Sequence, residues 1–134
     1  MRPDLLLRYL RKKQIKDNKK RFEQKNLQFS VDSLYDLNYM GDSNPDHNLD
    51  IHSPQNTVGK LPVLLVIHGG GYTQCEKFVN DAYSKVFAEK GYRVVNMNYS
   101  LQPEADFIEV MREIFAALHW IEANAQNYGF DCSR

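Results

Sequence analysis

A short apolar segment, residues 62–67, constrains the fold of this chain more than any other feature of its sequence. The segment runs Pro-Val-Leu-Leu-Val-Ile, with no alternation between apolar and polar positions. A strand without alternation is buried on both faces, which is typical of a parallel sheet covered by helices. Because parallel strands need long crossover connections, the segment predicts that helices and strands alternate after it.

The residues that follow fit such a crossover pattern. A helix is predicted over 77–90, a strand over 92–99 and a second, longer helix over 104–127. Residues with helical spacing define the predicted inner faces: Phe78, Ala82 and Val86 in the first helix, and Ile108, Met111, Phe115, Leu118 and Ile121 in the second. Right-handed crossovers then place the two strands in one parallel sheet.

The residues before the apolar segment predict an antiparallel hairpin. Polar and apolar side chains alternate over 33–39 and again over 47–52, and the intervening residues 41–46 are a dense turn signal. The predicted fold class is therefore α/β, with an antiparallel hairpin leading into a parallel βαβα sheet.

The apolar strand delivers a histidine and three glycines, His68-Gly69-Gly70-Gly71, to its carboxyl end. In open α/β sheets ligands bind at that end of the strands. Adjacent glycines let the backbone approach a ligand closely and free amides to point at an anion, as acyl-transfer oxyanions require. A flexible turn or a phosphate loop is the alternative, although the Lys-Ser/Thr of a phosphate loop is absent.

From about Tyr35 to Arg134 the chain resembles the α/β-hydrolase superfamily, specifically its hormone-sensitive-lipase and small-carboxylesterase branch, in which HGGG is the oxyanion-loop motif. The matching segments, in chain order, are residues 49–54, 68–71, 91–99, 100–104, 120–121 and 128–134. Two positions depart from the family pattern: Ser100 stands where arginine is common, and Cys132 where proline is usual.

The resemblance implies hydrolysis of a small carboxylic ester through a serine acyl-enzyme, without a metal or cofactor. It implies that Gly70 and Gly71 supply oxyanion-hole amides, and that His68 and Gly69 support the loop. The family's G-x-S-x-G nucleophile motif, its acid and its base are not found in these 134 residues. We therefore expect an N-terminal half of the fold, truncated before the nucleophile strand and inactive alone. The alternative is a non-catalytic interaction module.

Residues 1–26 differ in composition from the rest of the chain. Residues 1–25 carry ten lysines and arginines against three acidic residues, whereas the whole chain is neutral. The pattern predicts a basic helical arm whose face of Leu6, Tyr9 and Leu10 packs on the body, residues 27–134, which form the partial hydrolase domain. An arm that binds a membrane surface or nucleic acid is the alternative; few aromatic residues are present to stack on bases, so no nucleic-acid partner is expected.

Cysteine use and hydropathy suggest the compartment. Cys75 and Cys132 cannot form a disulfide framework and are expected as reduced thiols, which favours the cytoplasm. The histidines lack ligand-like spacing with them, so no zinc site is expected. No apolar run approaches the roughly 18 residues of a transmembrane helix.

The predicted strand order also has a consequence for association. In the family the apolar strand lies between the strand 92–99 and the strand that follows the turn at residues 131–134. That next strand is not found in these 134 residues, so residues 63–67 are expected to form an apolar sheet edge, which favours self-association.

Overall fold

A computed structural model of the chain describes residues 3–23 and 27–133. Within these residues the α-helices are α1 Pro3–Glu23, α2 Asp81–Glu89, α3 Phe107–Ala123 and α4 Ala125–Tyr128. The strands are β1 Val31–Asn38, β2 Asn48–Pro54, β3 Leu61–Ile67, β4 Arg93–Met97 and β5 Phe130–Asp131. Short 3-10 helices cover Pro45–His47 and Lys77–Asn80.

The strands form one sheet in the order β1-β2-β4-β3-β5. β1 pairs with β2, and β2 with β4, in antiparallel fashion, whereas β3 pairs with β4 and with β5 in parallel. The predicted hairpin and the predicted parallel half of the sheet are both confirmed. Because β3 and β4 run in the same direction, their carboxyl ends meet at one edge, where the histidine and the glycines lie.

Consecutive residues of β4 show that this strand is covered on both faces. Val94 packs with Ala88 of α2, and its neighbour Val95 belongs to the other core cluster with Ala117 and Ile121 of α3. Val94, Val95 and Ala88 have no exposed surface. The helices α2 and α3 thus lie on opposite faces of β4. The burial on both faces predicted for residues 62–67 holds only in part, because in β3 Val66 is buried, the residues before it are half-buried and Ile67 is exposed.

The inner faces predicted for the two helices are partly wrong. The buried residues of α3 are Val110, Glu113, Ala117 and Ile121, whereas Ile108, Phe115 and Leu118 are exposed. In the first helical segment a 3-10 turn precedes α2, and Val86 is exposed while Ser84 and Ala88 are buried. Both helices carry apolar residues on more than one side, so spacing alone does not identify the side that meets the sheet.

Helix α1 contacts the body through charged side chains. Arg8 Nε lies 3.0 Å from the Glu104 carboxylate, and Arg11 Nη2 lies 3.4 Å from the Asp46 carboxylate. The predicted packing of Leu6, Tyr9 and Leu10 on the body is wrong, because all three are exposed. No helix in the described ranges has the length and hydropathy that a membrane span requires.

We propose that the 134-residue polypeptide by itself self-associates through β3. β5 pairs only with Leu61 and Pro62, so that among the described residues no strand pairs with 63–67 on that side. Unpaired backbone groups on an apolar edge recruit other chains. Sedimentation velocity is expected to show oligomers, and Ile67→Lys, at an exposed edge position, to reduce them. A parent chain that stays monomeric at high micromolar concentration would contradict this.

His52, in the middle of β2, is a buried histidine that is held neutral. Its side chain has no exposed surface, and its Nδ1 lies 2.8 Å from Ser33 Oγ. Burial lowers the pKa of His52 to about 4, while the nearby Asp81 carboxylate opposes the shift and Lys85 and Lys77 add to it. The native packing of β2 therefore requires the His52 ring to be uncharged.

Acidification is expected to destabilise the fold through His52. Because the folded-state pKa lies below the ordinary 6.5, the stabilisation is fully present at neutral pH and is lost as the pH falls from about 6.5 to about 4. Between pH 7 and pH 5 this group alone accounts for about 2 kcal/mol of unfolding free energy. Urea unfolding of the parent and of His52→Gln at both pH values measures it; equal losses in the two proteins would contradict the assignment.

Candidate active site

The loop that follows β3 has a backbone that only glycine adopts easily. Gly70 has φ 121° and Gly71 has φ 61°, both in the region that disfavours residues with a Cβ. A Cβ placed on Gly70 would collide with the backbone carbonyl of Gln74. The amide of Thr73 donates to the Gly70 carbonyl at 3.2 Å and closes a tight turn. The glycine at position 70 is thus required by the turn itself.

His68 is fixed to its own loop. Its side chain is buried, and Nδ1 lies 2.8 Å from the Gly69 carbonyl oxygen, which can only accept a hydrogen bond, so Nδ1 carries the proton. Burial lowers the pKa of His68, and the bond to Gly69 offsets only part of this effect. At neutral pH the ring is therefore an uncharged structural group.

Tyr99, which follows β4, braces the loop from the neighbouring strand end. Its hydroxyl donates to the His68 carbonyl at 2.8 Å, and its ring stacks on the His68 imidazole with centroids 4.3 Å apart. Burial raises the pKa of Tyr99, so the hydroxyl keeps its proton. Farther along, the Gln102 amide donates to the Tyr72 carbonyl at 2.7 Å. Two connections therefore hold the glycine loop to the segment after β4.

The amides of Gly70 and Gly71 remain available. Neither donates a hydrogen bond to any acceptor within residues 27–133. A cavity of about 340 Å³ lies between the glycine loop and α3. Its lining residues include Ile67, His68, Gly69, Gly71, Tyr72, Tyr99, Val110, Met111 and Ile114. Unpaired backbone donors beside a cavity can donate hydrogen bonds to an oxyanion that binds there.

Lys77 anchors the far end of the loop to the sheet. Its ammonium group lies 2.7 Å from an Asp50 carboxylate oxygen and 2.8 Å from Asp36, and its amide donates to Asn98 Oδ1 at 2.6 Å. The Asn96 side-chain amide donates to the Lys77 carbonyl at 2.7 Å. Burial opposes the charge, but the bonds to both carboxylates outweigh it and raise the pKa of Lys77. The loop is therefore fixed at both ends.

A second polar cluster resembles a catalytic triad in its distances. Ser100 Oγ lies 3.3 Å from His47 Nε2, and His47 Nδ1 lies 2.7 Å from the Asp42 carboxylate. Glu113, however, places a carboxylate oxygen 3.2 Å from the same Nε2 and accepts from the Ser100 amide at 2.6 Å. Because Glu113 competes for the nitrogen that would take the serine proton, and Ser100 is buried, this cluster joins α3 to the segment after β4 rather than activating a nucleophile.

The structure brings His68, Gly69, Gly70 and Gly71 together at the carboxyl edge of the sheet, where sequence reasoning placed them. It adds Tyr99 and Lys77, which that reasoning missed. The position of Tyr99 at the end of the predicted strand 92–99 was a usable signal, because the ends of neighbouring parallel strands meet at one edge. No sequence pattern indicates the role of Lys77, since its partners lie on strands that are distant from it in the sequence.

Comparison with known proteins identifies the family. The model of the BD-FAE family matches residues 49–134. Hormone-sensitive lipase of Ictidomys tridecemlineatus is 31% identical over 87 residues, which are 63% of this chain and 11% of the lipase. Carboxylesterase NlhH of Mycobacterium tuberculosis is 31% identical over 85 residues, covering 63% of this chain and 27% of the carboxylesterase.

Solved structures agree with these matches. Esterase B from Lactobacillus rhamnosis superposes with a TM-score of 0.85 at 25% identity, over 95% of this chain and 41% of the esterase. A bacterial heroin esterase gives a TM-score of 0.73 at 31% identity, over 96% of this chain and 40% of that protein. The chain thus spans less than half the length of these relatives. It belongs to the BD-FAE family, in the hormone-sensitive-lipase-like branch of the α/β-hydrolases.

Proposed function

We propose that this chain carries the oxyanion-hole part of an enzyme that hydrolyses small carboxylic esters. The observation that carries the proposal is the pair of unpaired amides, Gly70 and Gly71, in a loop at the carboxyl edge of the sheet, of which Gly69 and Gly71 line a cavity. His68 and Gly69 support the loop through their mutual hydrogen bond. The esterase and lipase names of the relatives support the same substrate class.

The proposed chemistry is acyl transfer through a serine. A serine hydroxyl attacks the ester carbonyl carbon, its proton passes to a histidine base, and the carbonyl oxygen becomes an oxyanion. The Gly70 and Gly71 amides donate to that oxyanion. The alkoxide then leaves with the proton from the histidine, and water hydrolyses the acyl-serine. These 134 residues hold no G-x-S-x-G, so we propose that they do not complete this reaction alone.

We also propose that residues 1–26 form an arm on a hydrolase body of residues 27–134, and that the protein acts in the cytoplasm. The excess of lysine and arginine in residues 1–25 supports the division, as does the contact of α1 with the body through Arg8 and Arg11. Deleting residues 1–26 is expected to leave the strand signal in circular dichroism unchanged; a large loss would refute the division. Fractionation of cells that produce the protein tests the compartment.

The proposed function is tested by comparing this chain alone with a fusion. The fusion replaces the matching N-terminal part of esterase B with residues 1–134, and supplies the nucleophile-bearing remainder of that enzyme. We expect the chain alone to hydrolyse a short-chain aryl ester no faster than buffer, and the fusion to show saturable hydrolysis.

Native esterase B serves as the positive control for the assay. If the unfused chain hydrolysed the ester with saturation and a serine-directed phosphonate labelled it, its own residues would contain a nucleophile. Ser43 and Ser100 would then be the first two residues to replace. A folded fusion that takes no phosphonate label and turns over no ester would count against the oxyanion-hole assignment.

A further inference from the structure

The first turns of α1 expose an unusual amount of apolar surface. Five large side chains within residues 5–10 are between 41% and 62% exposed: Leu5, Leu6, Leu7, Tyr9 and Leu10. Soluble proteins rarely leave apolar side chains clustered in this way unless the patch binds something. Helix propensity does not require it, because polar residues such as lysine and glutamate form helices almost as well as leucine.

The polar side of α1 is the side that faces the body. Arg8 and Arg11 reach Glu104, at 3.0 and 3.5 Å, and Lys19 lies 5.4 Å from the centre of the Phe78 ring. At 100° per residue these cations lie on one side of the helix, and Leu6 and Tyr9 lie on the opposite side. The ion pairs therefore orient Leu6, Tyr9 and Leu10 outward, whereas Leu5 and Leu7 lie on the flanks of the helix.

The outward side becomes cationic farther along the helix. Lys13, Lys16 and Lys20 follow Leu6 and Tyr9 at spacings of three and four residues, and all three are exposed. Asp17 is the one acidic residue between positions 5 and 20. One continuous face thus presents large apolar side chains at its start and ammonium groups at its end.

We propose that this outward face of α1 binds an anionic lipid surface. Leu6, Tyr9 and Leu10 enter the boundary between headgroups and acyl chains, and the lysines lie over lipid phosphates and carboxylates, with their alkyl chains along the apolar layer. The helix lies on the membrane and does not cross it. This inference is independent of the proposed esterase activity.

Two other occupants fit the face less well. Nucleic acid would pair with the lysines, but it offers nothing to aliphatic side chains, and the face has only Tyr9 to stack on a base. A second copy of this chain would pair its acidic body with the lysines, but that leaves the leucines without an apolar partner. An anionic lipid surface offers an apolar layer to the leucines and negative charges to the lysines.

Vesicle flotation of the full 134-residue chain tests the proposal. Vesicles of phosphatidylcholine are compared with vesicles in which one lipid in three is phosphatidylserine. We expect at least about 100-fold tighter binding to the anionic vesicles, and weaker binding as salt is added. The triple change Lys13→Gln, Lys16→Gln and Lys20→Gln is expected to weaken that binding about 100-fold, since each lysine near such a surface contributes about fivefold.

The apolar part is tested separately by Leu6→Ser with Leu10→Ser, which is expected to weaken binding about tenfold or more. The matched control is Lys60→Gln with Lys90→Gln, two exposed lysines outside α1, and its binding should equal that of the parent. Circular dichroism verifies that each variant keeps its helix content.

Three results would overturn the proposal. The first is equal binding, or no binding, to the two kinds of vesicle. The second is duplex DNA binding that exceeds vesicle binding and is insensitive to the leucine changes. The third is a concentration-dependent dimer that the lysine changes dissociate while vesicle binding is absent.

Discussion

Replacing Gly70 with alanine is expected to lower kcat for ester hydrolysis about 100- to 1000-fold in the fusion that contains this chain, with little change in KM. The backbone at Gly70 has φ 121°, and a Cβ there would collide with the Gln74 carbonyl. The loop must therefore shift, and its amides move off the position of the oxyanion. A donor that acts only in the transition state affects kcat rather than substrate binding.

Gly41→Ala is the matched control for the backbone penalty. Gly41 also has a positive φ, of 74°, but it lies in the turn after β1 with open space around its Cβ position. The Gly41→Ala change should lower the stability of the fusion somewhat. It should leave kcat within about threefold of the parent value, because Gly41 does not contact the glycine loop. If Gly70→Ala kept the parent kcat in a folded fusion, the Gly70 and Gly71 amides would not be the oxyanion donors.

The hairpin, the parallel half of the sheet and the position of the glycine loop could be predicted from the sequence because all three depend on local patterns. Residues 62–67 lack alternation, and the glycines follow directly at the carboxyl end of the strand. The inner face of α3 could not be predicted in the same way. Ile108 and Phe115 satisfy helical spacing as well as Val110 and Ala117 do, and only contact with the sheet decides between the two sets.

The charged contacts of the site could not be predicted from the sequence either. A lysine near the start of a helix is ordinarily exposed, yet Lys77 is buried because Asp36 and Asp50 reach it from positions 41 and 27 residues away. The direction of α1 depends on ion pairs with Asp46 and Glu104, which no periodicity in residues 1–25 reveals. Long-range pairing of polar groups is thus the information that sequence patterns lack.

Lys77→Met is expected to destabilise the fold by about 3–5 kcal/mol, the usual cost of removing one partner of a buried ion pair. The Asp50 side chain is only 3% exposed and lies 2.7 Å from the lysine ammonium group. Without that group the buried carboxylate keeps, among the described residues, only the Asp36 amide, 2.9 Å away, as a donor. Urea unfolding followed by circular dichroism measures the loss.

Two further variants show whether the buried charge is the cause. Lys85→Met removes a lysine whose partner Asp81 is 31% exposed, so its loss should cost less than about 1 kcal/mol. Asp50→Asn in the Lys77→Met background removes the unpaired charge and should recover part of the stability. If Lys77→Met and Lys85→Met destabilised the chain equally, burial of the Lys77–Asp50 pair would not be what holds the far end of the glycine loop to the sheet.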